Sequence, residues 1–168
     1  MKILLIYSSK TGNTKKVAEG IYKILPEGSV LAPVEDNVNP EEFDLIIIGF
    51  WVDKGIADEK ARKYMKNIKG KKIGLFGTLG AYPDSEHAKK SMRRTKEIVE
   101  YENEIVGEFL CQGKIDSKLT KNFEKLPPNH PHAMTEETRK RHEEASKHPN
   151  EDDIEKAQSV FKDLIYSL

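Results

Sequence analysis

The sequence predicts an α/β domain built on a parallel sheet. Three short apolar runs, "ILLIY" (Ile3–Tyr7), "LIIIGFW" (Leu45–Trp51) and "IGLFGTLG" (Ile73–Gly80), are nearly continuous, the pattern of strands covered on both faces. Segments with helical spacing alternate with them. The first run also leads into "SSKTGNT" (Ser8–Thr14), nearly all small, hydroxylated or amide-bearing, which is more than an ordinary turn requires.

Each element has its own signal. After the first strand, Val17, Ala18, Ile21, Tyr22 and Leu25 share a helical face. "SVLAPV" (Ser29–Val34) reads as an edge strand, because an edge tolerates the missing N–H of Pro33. Ala61, Tyr64, Met65 and Ile68 mark a helix after the third strand, and Ala88, Met92, Thr95 and Val99 one after the fourth. A fifth strand falls within Ile105–Ile115, where two glycines predict a bend or break. The last helix starts at the N-cap Asn150, with Asp153 three residues on, and buries Ile154, Ala157, Val160, Phe161, Leu164, Ile165 and Leu168 along one stripe. Residues 116–150 break the alternation. "PPNHPH" is not helical and "TEETRKRHEEASK" has almost no apolar stripe, so the segment reads as a surface excursion between the last strand and the last helix.

The length, 168 residues, suits a single domain, and 37% hydrophobic residues supply one ordinary core. Charges balance, 28 against 28, so composition gives no reason to expect nucleic acid or an anionic membrane surface as partner. "KKSMRRTKE" is a short basic helix face without interleaved aromatics. The single cysteine, Cys111, excludes an internal disulfide and reads as a buried strand residue. The N-terminal apolar run is too short for a signal segment or a membrane span. The expectation is a cytoplasmic protein without membrane insertion.

In an open parallel sheet, ligands bind beyond the carboxyl ends of the strands. Ser9–Thr14 sits there, with six consecutive residues and a helix N-terminus behind them. Gly12 permits a left-handed turn, and Ser9, Thr11 and Thr14 add hydroxyls. These neutral donors suit a phosphate dianion. Neither G-x-x-x-x-G-K-[ST] nor G-x-G-x-x-G is present, so the loop reads as a site for one terminal phosphate, hence a mononucleotide.

"SKTGNT" after a first strand resembles the FMN-phosphate loop of flavodoxins, usually [ST]-x-T-G-x-T. The resemblance covers roughly residues 1–115 and 150–168. It implies a flavodoxin-like three-layer α/β/α fold, with a five-stranded parallel sheet in the family's order 2-1-3-4-5 and FMN at the switch point. It assigns the phosphate to Ser9, Lys10, Thr11, Gly12, Asn13 and Thr14. The flavin ring falls between aromatics of two further loops. "GFWVDKG" brings Phe50, Trp51, Val52, Asp53 and Gly55, and "GTLGAYPDS" brings Thr78, Leu79, Gly80 and Tyr82. Flavodoxins often carry a glycine directly after the third-loop aromatic, where a carbonyl turns towards N5 of the reduced flavin. Here Val52 stands there, and the turn shifts to Lys54–Gly55 or is absent.

The function implied is electron transfer between redox partner proteins, a reductase and an acceptor, with FMN supplying the chemistry. No catalytic or metal-ligating residue is assigned. The alternative is an FMN-dependent oxidoreductase, such as an NAD(P)H:quinone reductase or a protoporphyrinogen-oxidase-like enzyme, and whether the chain is an enzyme stays open. The excursion holds four of the five histidines, His130, His132, His142 and His148. They read as solvated loop residues, with a lid or docking surface beside the flavin as the functional alternative. In "CQGKI" and the His-Pro-His segment the chain also resembles flavodoxin-like proteins of anaerobic bacteria.

Overall fold

Residues 1–168 are described by a computed structural model. Strand β1 (Ile3–Tyr7) is buried along its whole length because it lies inside the sheet, between β2 (Val30–Pro33) and β3 (Leu45–Asp53). Alternate side chains point to opposite faces. Leu4, Ile6, Ile46, Ile48 and Phe50 pack on one side, against α2 (Glu59–Met65) and α3 (Glu86–Lys96). Ile3, Leu5, Leu45, Ile47 and Phe76 pack on the other, against α1 (Asn13–Tyr22) and α6 (Glu151–Ser167). Two cores explain the continuous apolar runs: a strand with helices on both faces has no wet side.

The sheet runs β2-β1-β3-β5-β6, with β5 at Lys72–Leu79 and β6 at Glu104–Gln112, and every neighbouring pair on this path is parallel. The sheet holds six strands where five were expected; without the added strand in the count, the five parallel strands run in the expected order 2-1-3-4-5. A sixth strand, β4 (Ile56–Ala57), pairs antiparallel with the end of β3, Val52 with Ala57 and Asp53 with Ile56. Lys54 (φ 52°) and Gly55 (φ 77°) form the two-residue turn between them, and positive φ at both positions suits a hairpin turn. Two residues are too few for alternation to announce a strand. The hairpin is tied to α3: Ala57 N–H donates to Thr95 Oγ1 (3.0 Å), and that hydroxyl donates to the Ser91 carbonyl (2.8 Å). Thr95, counted above in an apolar stripe, is buried but works through its hydroxyl.

β6 is irregular. Its register on β5 slips between Ile73 and Gly74, so Ile105 and Gly107 take consecutive partners and Val106 is left over, as in a bulge. The strand ends at Gln112, and Gly113 N–H donates to the Leu79 carbonyl (2.8 Å), opening a loop beside the ends of β1, β3 and β5.

Residues 116–150 form two helices, α4 (Ser117–Glu124) and α5 (Glu136–Ala145), ahead of the capping box of Asn150 and Asp153 on α6. No residue of α4 is buried, whereas Ala145, at the end of α5, is fully so. No helix is long and apolar enough to cross a membrane.

Candidate functional site

A cleft of about 650 Å³ opens over the C-terminal ends of β1, β3, β5 and β6, within the usual range for small-molecule sites. Its floor is the Ser9–Thr14 loop. Gly12 has φ 97°, the left-handed region, immediately before the first turn of α1. An added Cβ there would meet no atom within 4 Å, so the constraint is conformational. Ser9 Oγ accepts from the N–H of Gly12 (3.2 Å) and of Lys15 (3.3 Å), folding the loop on itself. The N–H groups of Lys10, Thr11, Asn13 and Thr14 have no partner in the chain. Four free amides at a helix N-terminus are the donor set an anion takes, and this is the feature of the structure that fits a phosphate.

Thr14 has a second task. Its hydroxyl lies 3.0 Å from Thr78 Oγ1 and 3.4 Å from the Phe50 carbonyl, all buried, and so joins the ends of β3 and β5 to α1. Asn13 Nδ2 donates to the Lys114 carbonyl (2.9 Å), fastening the loop after β6 to the same floor.

Trp51 and Tyr82 line the cleft from two loops, with Val52, Thr78, Leu79 and Gly80. Lys10 Nζ sits 5.4 Å from the centroid of the Trp51 ring, a cation–π contact across the cleft. Of the expected residues, Ser9, Lys10, Thr11, Asn13, Thr14, Trp51, Val52, Thr78, Leu79, Gly80 and Tyr82 line this one cavity, and Gly12, Phe50, Asp53 and Gly55 do not. Phe50 is fully buried in the core beneath α2 and α3, because its neighbour Trp51 takes the other direction along the strand. Asp53 and Gly55 belong to the β3–β4 hairpin, and the Gly55 carbonyl accepts from Arg94 Nη1 (3.1 Å).

Sequence reasoning missed Asp58. It is 1% exposed. Its carboxylate accepts from the Ser8 hydroxyl (2.5 Å), the Trp51 N–H (3.2 Å) and the Ala61 N–H (3.2 Å), so one side chain caps α2 and holds the Trp51 backbone against the end of β1. Asp58→Ala leaves three donors without a partner. It is expected to lower stability by about 2–4 kcal/mol, since a lost cap costs about 1 and each orphaned buried donor about 1–3, not fully additively. A urea titration followed by Trp51 emission measures it, and an unchanged midpoint would show that the carboxylate holds nothing in place.

The excursion, expected as a surface segment with a lid or docking surface as its functional alternative, adds cleft residues that the sequence did not single out. Leu119, Phe123, Glu137, Arg141 and His142 line the same cleft as the Ser9–Thr14 loop. Phe123 stacks on His132 (centroids 5.7 Å) and meets His142 at 6.4 Å. His142 Nδ1 lies 3.0 Å from Thr120 Oγ1, and burial, followed by the neighbouring Arg141, pushes its pKa below the ordinary value. His130 and His132 are exposed, whereas His142 and His148 are packed and hydrogen-bonded, so the reading of all four as solvated does not describe the segment. The polar surface of α5 carried no stripe to reveal this, because the wall is built from few side chains. Cys111, buried in β6, has its thiol pKa pushed far up by burial, with Asp153 adding to it, which keeps it unreactive.

Residues 4–162 match the flavodoxin domain family. The chain is 37% identical over 172 residues to the flavodoxin-like domain-containing protein BilS of Clostridioides difficile, covering 98% of this chain and 97% of that protein. The structure of oxidised flavodoxin 2 from Bacillus cereus superposes with a TM-score of 0.61 at 20% identity over 100% of both chains. That of a flavoprotein in complex with FMN from Lactobacillus acidophilus does so with 0.53 at 20% identity, over 71% of this chain and 97% of that one. The alternating cores, the parallel sheet and the loop cluster at its C-terminal edge therefore have a family explanation: the chain belongs to the flavodoxin domain family.

Proposed function

We propose that this chain binds FMN in the cleft and passes electrons between redox partner proteins. FMN is the cofactor that family membership gives it, and the flavin supplies the redox chemistry. The chain's own residues bind, orient and shield. The free amides of Lys10, Thr11, Asn13 and Thr14 hold the phosphate, helped by the N-terminus of α1. Trp51 and Tyr82 offer flat faces from two loops, and Thr78 and Gly80 line the same cleft. One observation carries the reading: four unpaired N–H groups at a left-handed turn open into the same cleft as both aromatics.

The test is a titration of the flavin-free chain with FMN. Trp51 is the only tryptophan, and its emission falls as the ring stacks on it. Trp51→Ala then loses about 0.5–1.5 kcal/mol of affinity beyond the buried area. Unchanged emission at saturation would remove Trp51 from the flavin face. The electron-carrier role is tested by supplying a flavodoxin reductase and a protein acceptor: turnover that needs the holoprotein supports it, and turnover unaffected by omitting the holoprotein refutes it.

The wall formed by Phe123, Arg141 and His142 favours a second reading, an FMN-dependent oxidoreductase acting on a small substrate enclosed beside the flavin. Direct oxidation of the reduced holoprotein by a soluble quinone, with saturation, distinguishes it from a carrier. In either case 116–150 acts as a lid or docking element over the cleft.

A further inference from the structure

His148 lies outside the cleft, just past the end of α5, with its side chain 18% exposed. Its Nδ1 is 2.6 Å from Asp153 Oδ2 on α6, and its Nε2 is 3.2 Å from Glu144 Oε1 on α5. A neutral imidazole has one N–H and one lone pair. With a carboxylate facing each nitrogen, both contacts become hydrogen bonds only in the imidazolium. The main chain continues the link inwards. The His148 carbonyl accepts from Lys114 N–H (2.9 Å), and the Lys114 carbonyl accepts from Asn13 Nδ2 (2.9 Å). Lys114 and Asn13 line the cleft, and so do Glu137, Arg141 and His142 of α5.

We propose that His148 is a positioning residue for the cofactor cleft: clamped between Glu144 and Asp153, its imidazolium sets α5 and the loop at Lys114 against the flavin site, so that cofactor affinity depends on its proton. The inference rests on the FMN reading above. Burial opposes the charged ring, but the hydrogen bonds to Asp153 and Glu144 outweigh it and raise its pKa above the ordinary value. The clamp is therefore complete at and below about pH 6.5, the ordinary histidine value, and is lost as pH rises through the raised one.

The charged surroundings come from every neighbouring element. Glu144 also pairs with Lys147 (3.0 Å), which together with His148 keeps its pKa low, and Lys147 is raised in turn by Glu144. Lys140 and Glu143 of α5 line a shallow groove with Glu144, Lys147 and His148, apart from the cofactor cleft. Lys16 of α1 donates to the Pro149 carbonyl (2.6 Å), and Asp153 Oδ2 also accepts from Asn150 N–H (2.8 Å). Cys111 of β6 lies close enough to Asp153 for its charge to matter.

The experiment is an NMR titration of the flavin-free chain between pH 6 and 9, paired with FMN binding at pH 7 and pH 9. Over the binding range the FMN phosphate is mostly dianionic, its second pKa being near 6. The His148 ring is expected to titrate above 6.5, with the amides of Asn13, Lys114 and α5 following the same midpoint. FMN binds about three- to tenfold more tightly at pH 7 than at pH 9, and His148→Gln abolishes that difference. Should His148→Gln not fold, Glu144→Gln keeps the ring, removes one bridge and moves the midpoint down. Amides of α5 that ignore the His148 midpoint, or a pH dependence retained in His148→Gln, overturn the proposal. FMN failing to bind at any pH, while the amides still follow His148, overturns the cofactor reading and leaves the clamp standing.

Discussion

Riboflavin is expected to bind this chain at least about a hundredfold more weakly than FMN. The two ligands differ only in the phosphate, and the structure holds free the groups that would take it. Hydrogen bonds to a charged group contribute about 1.5–3 kcal/mol each, so losing only two amounts to about 3–6 kcal/mol, and every 1.4 kcal/mol is tenfold. The amides of Lys10, Thr11, Asn13 and Thr14 keep this capacity whatever side chains surround them. Thr11→Ala is therefore expected to weaken FMN binding only by what its hydroxyl adds, about ten- to a hundredfold. Thr14→Ala does more, because Thr14 Oγ1 also meets Thr78 and the Phe50 carbonyl, so it lowers stability as well. Quenching of flavin fluorescence on binding reads both ligands. Equal affinity for FMN and riboflavin would show that Ser9–Thr14 is not a phosphate loop.

Phe50→Ala lowers the stability of the fold by about 3–5 kcal/mol, the range for a large buried aromatic. The reason lies in a reciprocal pairing of strands β3 and β5. Gly49 stands opposite Phe76 and Phe50 opposite Gly77. A Cβ on Gly77 would lie 2.6 Å from the Phe50 ring, and one on Gly49 would overlap the Phe76 ring. Each ring thus lies over the other strand's glycine, Phe76 towards α1 and α6, Phe50 towards α2 and α3. Both sit just below the loops that line the cleft. Gly77→Ala costs about 1–3 kcal/mol by overpacking, and the cost shrinks, without vanishing, when Phe50 is first made Leu, because the smaller side chain vacates part of the space while Leu110 Cδ2 stays 2.8 Å from the added Cβ. Urea midpoints of the four proteins in this cycle measure the coupling. A Gly77→Ala midpoint within error of the parent, with Phe50 intact, would mean that the ring does not rest on the glycine.

What the sequence by itself determined is local. Continuous apolar runs marked the long parallel strands, helical spacing marked α1, α2, α3 and α6, and the small, hydroxyl-rich Ser9–Thr14 marked a loop out of the ordinary at the end of β1. These signals lie within about ten residues of chain, where periodicity and turn chemistry act. Tertiary structure alone decided the rest. β4 pairs with β3 and is anchored from outside the hairpin, Thr95, 38 positions away, receiving the Ala57 N–H. Trp51 points to the cleft while Phe50 enters the core because a strand alternates, and only the helices packed on the sheet say which face is inside. Asp58 works on Ser8, 50 positions before it, and Asn13 reaches Lys114 across 101. The excursion looked solvated because its helices bury so few side chains, yet Phe123, Arg141 and His142 complete the cleft. The physical reason is common to all of these: a polar or small residue leaves no periodic trace, and its role is set by the donor, carboxylate or ring that the fold carries to it from a distant part of the chain.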